Sequence, residues 1–180
     1  MRYNPSTHYI QIQDNGVWYD YKYFNPTEPV ALVPVMTSNT TPYGEAIATT
    51  QNTNAQVYKL FDGDDSTKWY GANGVQASGQ SVGYNFVSPV CVTRVYMYTQ
   101  DNSSAGYGFA ISKFKIQGSN DGTTYTDLSG EITTTSAKAY YSIDNGDKYL
   151  YYRLYIIATG YPQDIAQACD TYALQFYGYE

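Results

Sequence analysis

The residues best equipped for chemistry lie in one short segment. Between Phe61 and Trp69 the chain places Asp62, Gly63, Asp64, Asp65, Ser66, Thr67 and Lys68. Three carboxylates and two hydroxyls around a glycine suit calcium, a hard ion that takes about six to eight oxygen ligands. The EF-hand spacing is absent, and a plain Asx turn capping a helix explains the same residues. On the loop alone, the turn is the simpler reading. Elsewhere the catalytic inventory is thin. His8 is the single histidine, and it reads as a surface or packing residue. There is no Cys-x-x-Cys, His-Glu-x-x-His or Gly-x-Ser-x-Gly, and no Walker or Rossmann glycine pattern. The only glutamates are Glu28, Glu45, Glu131 and Glu180. A pair of aspartates could hydrolyse a glycoside in principle, but most aspartates sit beside Gly, Asn or Ser, as solvated turn residues do. The expectation is a protein that binds and does not catalyse, with a hydrolase as the alternative.

The elements that must carry such a loop are strands. Of 180 residues, 23 are Tyr, and charged residues make up 14%, against about 25% in an average domain. Tyr, Thr and Val abound where a helical bundle would have Leu, Glu and Lys. A net charge of −6 leaves no Lys/Arg surplus for nucleic acid. No apolar run is long enough to span a membrane as a helix, and the first residues lack a signal-peptide core. His8 to Gln13, a turn at Asp14-Asn15-Gly16, and Val17 to Tyr23 read as an N-terminal hairpin. Pro26, Pro29, Pro34 and Pro42 mark a connector. The domain division is therefore 1–34 for the hairpin and connector, and 35–180 for the main domain. Short β-type runs recur after Ala46: Ser81 to Val87, Val90 to Thr99, Ile111 to Gly118, Thr123 to Leu128, Ala137 to Ile143, Tyr149 to Ala158 and Tyr172 to Tyr179. A short helix fits Gln56 to Phe61. This pattern indicates an all-β sandwich or jelly roll. Cys91 and Cys169 permit one disulfide, but Val90-Cys91-Val92 reads more simply as burying a free thiol.

Several segments together resemble the discoidin, or coagulation factor 5/8 type C, domains, which include the family 32 carbohydrate-binding modules. They are Phe61-Asp62-Gly63-Asp64 with Ser66-Thr67 and Trp69; Met36 to Gly44; Gly83 to Val90; Phe114 to Gly122; Tyr152-Arg153-Leu154; and Leu174 to Gly178. They fall in the family's order across about residues 35–180. The resemblance implies an eight-stranded antiparallel jelly-roll β-sandwich, here with an N-terminal β-hairpin extension. It implies a non-catalytic binding protein. It also implies a structural Ca²⁺ held by the side chains of Asp62 and Thr67 and by backbone oxygens of Lys59, Asp64, Thr67 and Tyr172. The family's usual glutamate on the closing strand is Ala173 here, which should weaken the site. Trp69 would be a core plug and not a sugar platform.

Family ligands dock on loops at one end of the sandwich. The expected ligand-binding residues are Tyr70 and Asn73 after Trp69, Gln100, Asn102 and Tyr107 in the second loop, and Tyr161 in the third. Tyr supplies a flat apolar face and a hydroxyl at little entropic cost. Galactose binders usually have His where Tyr70 stands and Arg near Gln100, so a surface glycan is expected without galactose specificity. Membrane lipid is disfavoured by the acidic charge and by loops poor in aliphatic and basic residues. The opening and closing segments resemble modules on bacteriophage tail and fibre proteins, which implies a virion or extracellular location. Trp18, Tyr19, Tyr21, Tyr23 and Phe24 would then dock residues 1–34 on other virion chains, in a homo-oligomer. A decoration protein that uses the sandwich as scaffold, and a secreted bacterial glycan-binding module, are the alternatives.

Overall fold

The computed structural model describes residues 2–4, 9–14, 17–22, 28–99, 108–134, 136–160 and 169–179. Its organising element is one long strand. Strand β7 (Ser81–Tyr98) belongs to both layers of a sandwich. Its first half pairs with β5 (Glu45–Ala48) on one side and β12 (Tyr149–Thr159) on the other. β12 continues to β8 (Ile111–Ser119), which also pairs with the short β9 (Thr126–Asp127) and β10 (Ile132–Thr133). The second half of β7 pairs with β11 (Lys138–Ser142) and β14 (Ala173–Tyr179), and β14 pairs with β4 (Val30–Ala31). Every named strand pair is antiparallel. With the halves of β7 counted separately, β4, β5, β8, β11, β12 and β14 complete the eight strands of a jelly-roll sandwich.

The sequence suggested two strands where β7 is continuous, because Ser88-Pro89 reads as a break. That stretch is where the strand changes layers. Opposite β12, pairing jumps from Asn85 to Val90, and Val87 is 74% exposed. Pro89 has no N–H to donate, so it is tolerated at a crossing that lies outside the ladder.

Alternation fills the space between the layers. Val82, Tyr84 and Phe86 point inward from β7, as do Tyr152, Leu154 and Ile156 from β12, and Leu174 and Phe176 from β14. Their rings interlock: Phe61 lies edge-on to Tyr84 at 5.5 Å, Tyr84 to Phe86 at 4.8 Å and Phe86 to Tyr152 at 6.0 Å. Such pairs add roughly 0.5–1.5 kcal/mol each beyond burial. Buried tyrosines need partners for their hydroxyls. Tyr84 donates to the carbonyl of Tyr43. Tyr152 donates to Val90 O at 2.8 Å and accepts from Val92 N at 3.2 Å.

Four further findings adjust the sequence reading. The short helix is present as a 3-10 turn, Val57–Leu60. The sandwich begins before residue 35: Val30–Ala31 pair with β14, and Leu32 and Val33 are buried in the core. Cys91 and Cys169 are both free thiols; Cys169 is buried, but Cys91 is half-exposed and not the buried thiol expected of its apolar neighbours. The N-terminal hairpin is a three-stranded antiparallel sheet, because β1 (Arg2–Asn4) joins β2 (Tyr9–Asp14) and β3 (Val17–Lys22). His8, Asn15, Gly16, Tyr23 and Phe24 lie outside the described residues.

Candidate functional site

The acidic segment forms a closed loop after the 3-10 turn. Gly63 takes φ 75°, a left-handed conformation that glycine adopts without a Cβ penalty. Asp62 accepts the Asp64 N–H at 2.9 Å through one carboxylate oxygen and the Thr67 hydroxyl at 2.6 Å through the other. The Thr67 hydroxyl lies 3.2 Å from the Asp64 carbonyl oxygen. Thus three of the oxygens expected to hold a cation converge: the Asp62 carboxylate, the Thr67 hydroxyl and the Asp64 carbonyl. Their chemistry fits a hard ion. The cluster has few charges, because the Asp64 carboxylate turns away to Ser66, whose hydroxyl and N–H hold it below its ordinary pKa. Asp65 pairs with Lys138 at 2.6 Å. Among the described residues no three His, Cys, Asp or Glu side chains gather as a metal group. Lys59 occupies the turn before the loop, its ammonium on Asn54 O at 2.8 Å. Tyr172 stacks on Tyr98 at 4.9 Å, with Lys68 over its ring at 5.6 Å. Ala173 starts β14 and brings no carboxylate.

Immediately beyond the loop, the chain makes a small clasp. Strand β6 (Trp69–Tyr70) pairs antiparallel with β13 (Asp170–Thr171), and Gly71 N donates to Cys169 O at 3.0 Å. Trp69 is fully buried and donates its indole N–H to Thr50 O at 3.0 Å, so it is a core plug. Lys68 and Asp170 form an ion pair at 2.7 Å in which the Asp170 side chain is 0% exposed and that of Lys68 37%. Burial holds the Asp170 carboxyl above its ordinary pKa despite the pull of Lys68. Burial lowers the Lys68 ammonium, but the hydrogen bond and charge of Asp170 outweigh it and hold it above its own ordinary value. The second oxygen of Asp170 has no hydrogen-bond partner among the described residues.

Asp170 is also where three loops meet. Its N–H donates to Phe109 O at 2.9 Å, and it forms a parallel bridge with Ala110. Gly160 N donates to Ala110 O at 3.0 Å. The Thr99 hydroxyl reaches Asp170 O at 3.4 Å. The described residues that flank three loops, Tyr70, Thr99 with Phe109, and Gly160 with Asp170, therefore lie side by side. Tyr70 is half-buried, its ring edge-on to Phe109 at 5.8 Å and 5.6 Å from the Lys68 ammonium. Burial raises its phenol pKa. Asn73 is exposed in the first loop, beside Gly74 at φ 77°. Below them the buried Gln80 amide bonds Gln76 O at 2.7 Å, and Thr50 holds Ala72 N at 3.1 Å. Gln100, Asn102, Tyr107 and Tyr161 lie outside the described residues.

A cavity of about 340 Å³ adjoins this end, lined in part by Asn39, Glu45, Thr49, Thr50, Gln51 and Val57. Its size is that of a small-ligand pocket. Thr50 is common to the cavity wall and to the root of the first loop. Neither this cavity nor the Lys68–Asp170 pair was singled out in the sequence. The pair is separated by 102 positions, and although Lys68 closes the acidic segment, nothing there points to Asp170.

An antiparallel β-sandwich with a short clasp, β6–β13, over a buried ion pair is the frame of this end of the molecule. Residues 37–169 match the F5/8 type C domain family, and the chain belongs to it. Among solved structures it is similar to chitosan-binding module 1 of a chitosanase/glucanase from Paenibacillus sp. IK-5, with 25% identity, 78% of this chain and 96% of that chain covered, and a TM-score of 0.59. It is also similar to the family 32 carbohydrate-binding module of Clostridium perfringens NanJ solved with galactose, with 20% identity, 74% and 93% covered, and a TM-score of 0.58. Chitosan-binding module 2 of the Paenibacillus enzyme, solved with chitotriose, matches at 19% identity, with 75% and 96% covered and a TM-score of 0.58. No curated protein matches the chain by sequence. The chain thus has the carbohydrate-binding-module fold. No helix among its described residues is long and apolar enough to cross a membrane.

Proposed function

We propose that the protein is a non-catalytic module that holds a surface glycan at the loop end. The observation that carries this reading is the convergence of three loop roots on Asp170, with Tyr70 and Asn73 on the first loop. Tyr70 presents an aromatic edge and hydroxyl, Asn73 an exposed amide. Gln100, Asn102, Tyr107 and Tyr161 belong to the neighbouring loops and complete the contact set. Calcium, when bound, supplies charge that ties Asp62, Thr67 and the Asp64 carbonyl together below the loops; its role is structural. The printed ligands of the relatives, galactose and chitotriose, are the first probes. Calorimetric titration with each, with and without EDTA, should show binding that Tyr70→Ala weakens about tenfold. Titration with Ca²⁺ should show binding that Asp62→Ala abolishes. No binding of any bacterial surface polysaccharide by the full chain overturns the glycan reading.

The setting we infer is a phage virion, in which the module adheres to host or mucosal polysaccharide and the N-terminal sheet docks on other chains as part of a homo-oligomer. The separate three-stranded sheet β1–β2–β3 supports this reading. Light scattering should show an assembly that deletion of residues 1–28 reduces to monomers. A monomer before and after deletion overturns it.

A further inference from the structure

The outer face of the β11–β7–β14 sheet carries an arginine in unusual company. Arg94 pairs with Ser142 on one side and Tyr177 on the other. Its guanidinium carbon sits 5.1 Å from the ring centres of both Tyr140 and Tyr177. Tyr140 in turn lies 5.0 Å from Tyr96 and 5.8 Å from Tyr177. Tyr140 is 58% exposed. Lys68, Lys113, Lys115 and Lys138 each pair with a carboxylate, whereas Arg94 does not among the described residues. Its Nε is buried and has no hydrogen-bond partner among the described residues. The charge acting most strongly on Tyr177 is that of Arg94, while Asp65, which acts on the neighbouring Tyr96, is paired with Lys138.

An arginine has five N–H donors in a planar fork that matches a carboxylate. Two flanking rings hold that fork in place, which lowers the entropy lost when an acceptor arrives. Beside the fork stand the hydroxyls of Tyr140 and Tyr177, which can bond sugar hydroxyls, and the exposed ring of Tyr140, which can take a C–H patch. We propose that this face is a second ligand site, in which Arg94 binds the carboxylate of an acidic sugar such as a uronic acid residue, bracketed by Tyr140 and Tyr177. The site is on a sheet face and stands independently of the loop-end reading.

The test follows the Arg94 Nε–Hε resonance of the full chain while trigalacturonate is added. The resonance should shift saturably, and the neutral methyl ester should leave it unmoved. Arg94→Gln should weaken binding about tenfold, and Arg94→Lys, which keeps the charge but not the fork, by several-fold, with both variants unfolding close to the parent temperature. Tyr70→Ala, at the loop end, should leave this binding intact. The inference is overturned if the resonance does not move, if the ester shifts it equally, or if Arg94→Gln binds like the parent. It is also overturned if Tyr70→Ala removes the binding, which would place the acidic sugar in the loops. Equal binding of an acetylated tripeptide with a free C-terminus would overturn the assignment to sugars.

Discussion

Replacing Lys68 by methionine keeps most of the side-chain length and removes the charge that faces Asp170. The carboxylate is 0% exposed and 2.7 Å from the ammonium, and its other oxygen has no hydrogen-bond partner among the described residues. Without Lys68 it becomes a buried charge with no counter-ion. Removing one partner of a buried pair costs about 3–5 kcal/mol. The Lys68 side chain is 37% exposed, so water can take part of its place, and a loss of about 3 kcal/mol at pH 7 is expected. Asp170→Asn removes the charge instead and keeps the shape. Its carbonyl can still accept from Lys68, while its amide meets a buried position with no acceptor among the described residues, for a loss of about 1 kcal/mol. The double variant has no buried charge, so its loss should be about 2 kcal/mol, less than the sum of the singles. Urea unfolding measures all four proteins; with a slope of about 2 kcal/mol/M, the Lys68→Met midpoint should fall by roughly 1.5 M. Additive losses, or a Lys68→Met variant within about 0.5 kcal/mol of the parent, would refute the picture of a coupled buried pair.

Tyr152→Phe should lower stability by about 2 kcal/mol, seen as a drop of roughly 4–8 °C in thermal midpoint, because the hydroxyl that joins Val90 O, Val92 N and Asn145 is lost. Asp121 is held below its ordinary pKa by N–H donors from Thr124 and Thr123. The stability it contributes is therefore present above the unfolded value of about 3.9 and lost as pH falls toward its folded value. The thermal midpoint of Asp121→Asn should accordingly fall less than the parent's between about pH 5 and pH 2. Burial pushes the Cys169 thiol up to about 12, so maleimide near about pH 7.5 should label Cys91 and spare Cys169 until denaturant is added; equal labelling of both in the native state contradicts the buried position.

How far the fold was legible depended on the range of the interactions. Strands with their own alternation, such as Tyr149 to Ala158, were found within a residue or two. The glycine turn at Asn120-Asp121-Gly122 announced itself through Asx chemistry. Two-residue strands did not: Trp69–Tyr70 and Asp170–Thr171 are strands only because they find each other. Val30–Ala31 likewise is a strand only through β14, and nothing in its own sequence announces one. The acidic loop was visible because its parts are contiguous. The ion pair was not, since a lone lysine and a lone aspartate 102 positions apart carry no local signature. Cys91 was misjudged because its apolar neighbours point to the core from adjacent positions, leaving the thiol on the other side of the pleat.

The pairing of β4 with β14 has a mechanical consequence. The polypeptide enters the sandwich at Val30–Ala31 and leaves it along Tyr177–Gly178, and these residues are hydrogen-bonded neighbours. Tension applied through the two ends meets at one sheet edge and peels a two-residue ladder first. Leu32 and Val33 follow only if the bonds of Leu32 to Phe176 and of Val33 to Gln175 also yield. The loop end, built on β6 and β13, is off that line of force. A module tethered by its ends could therefore give slack at its base while its grip is undisturbed.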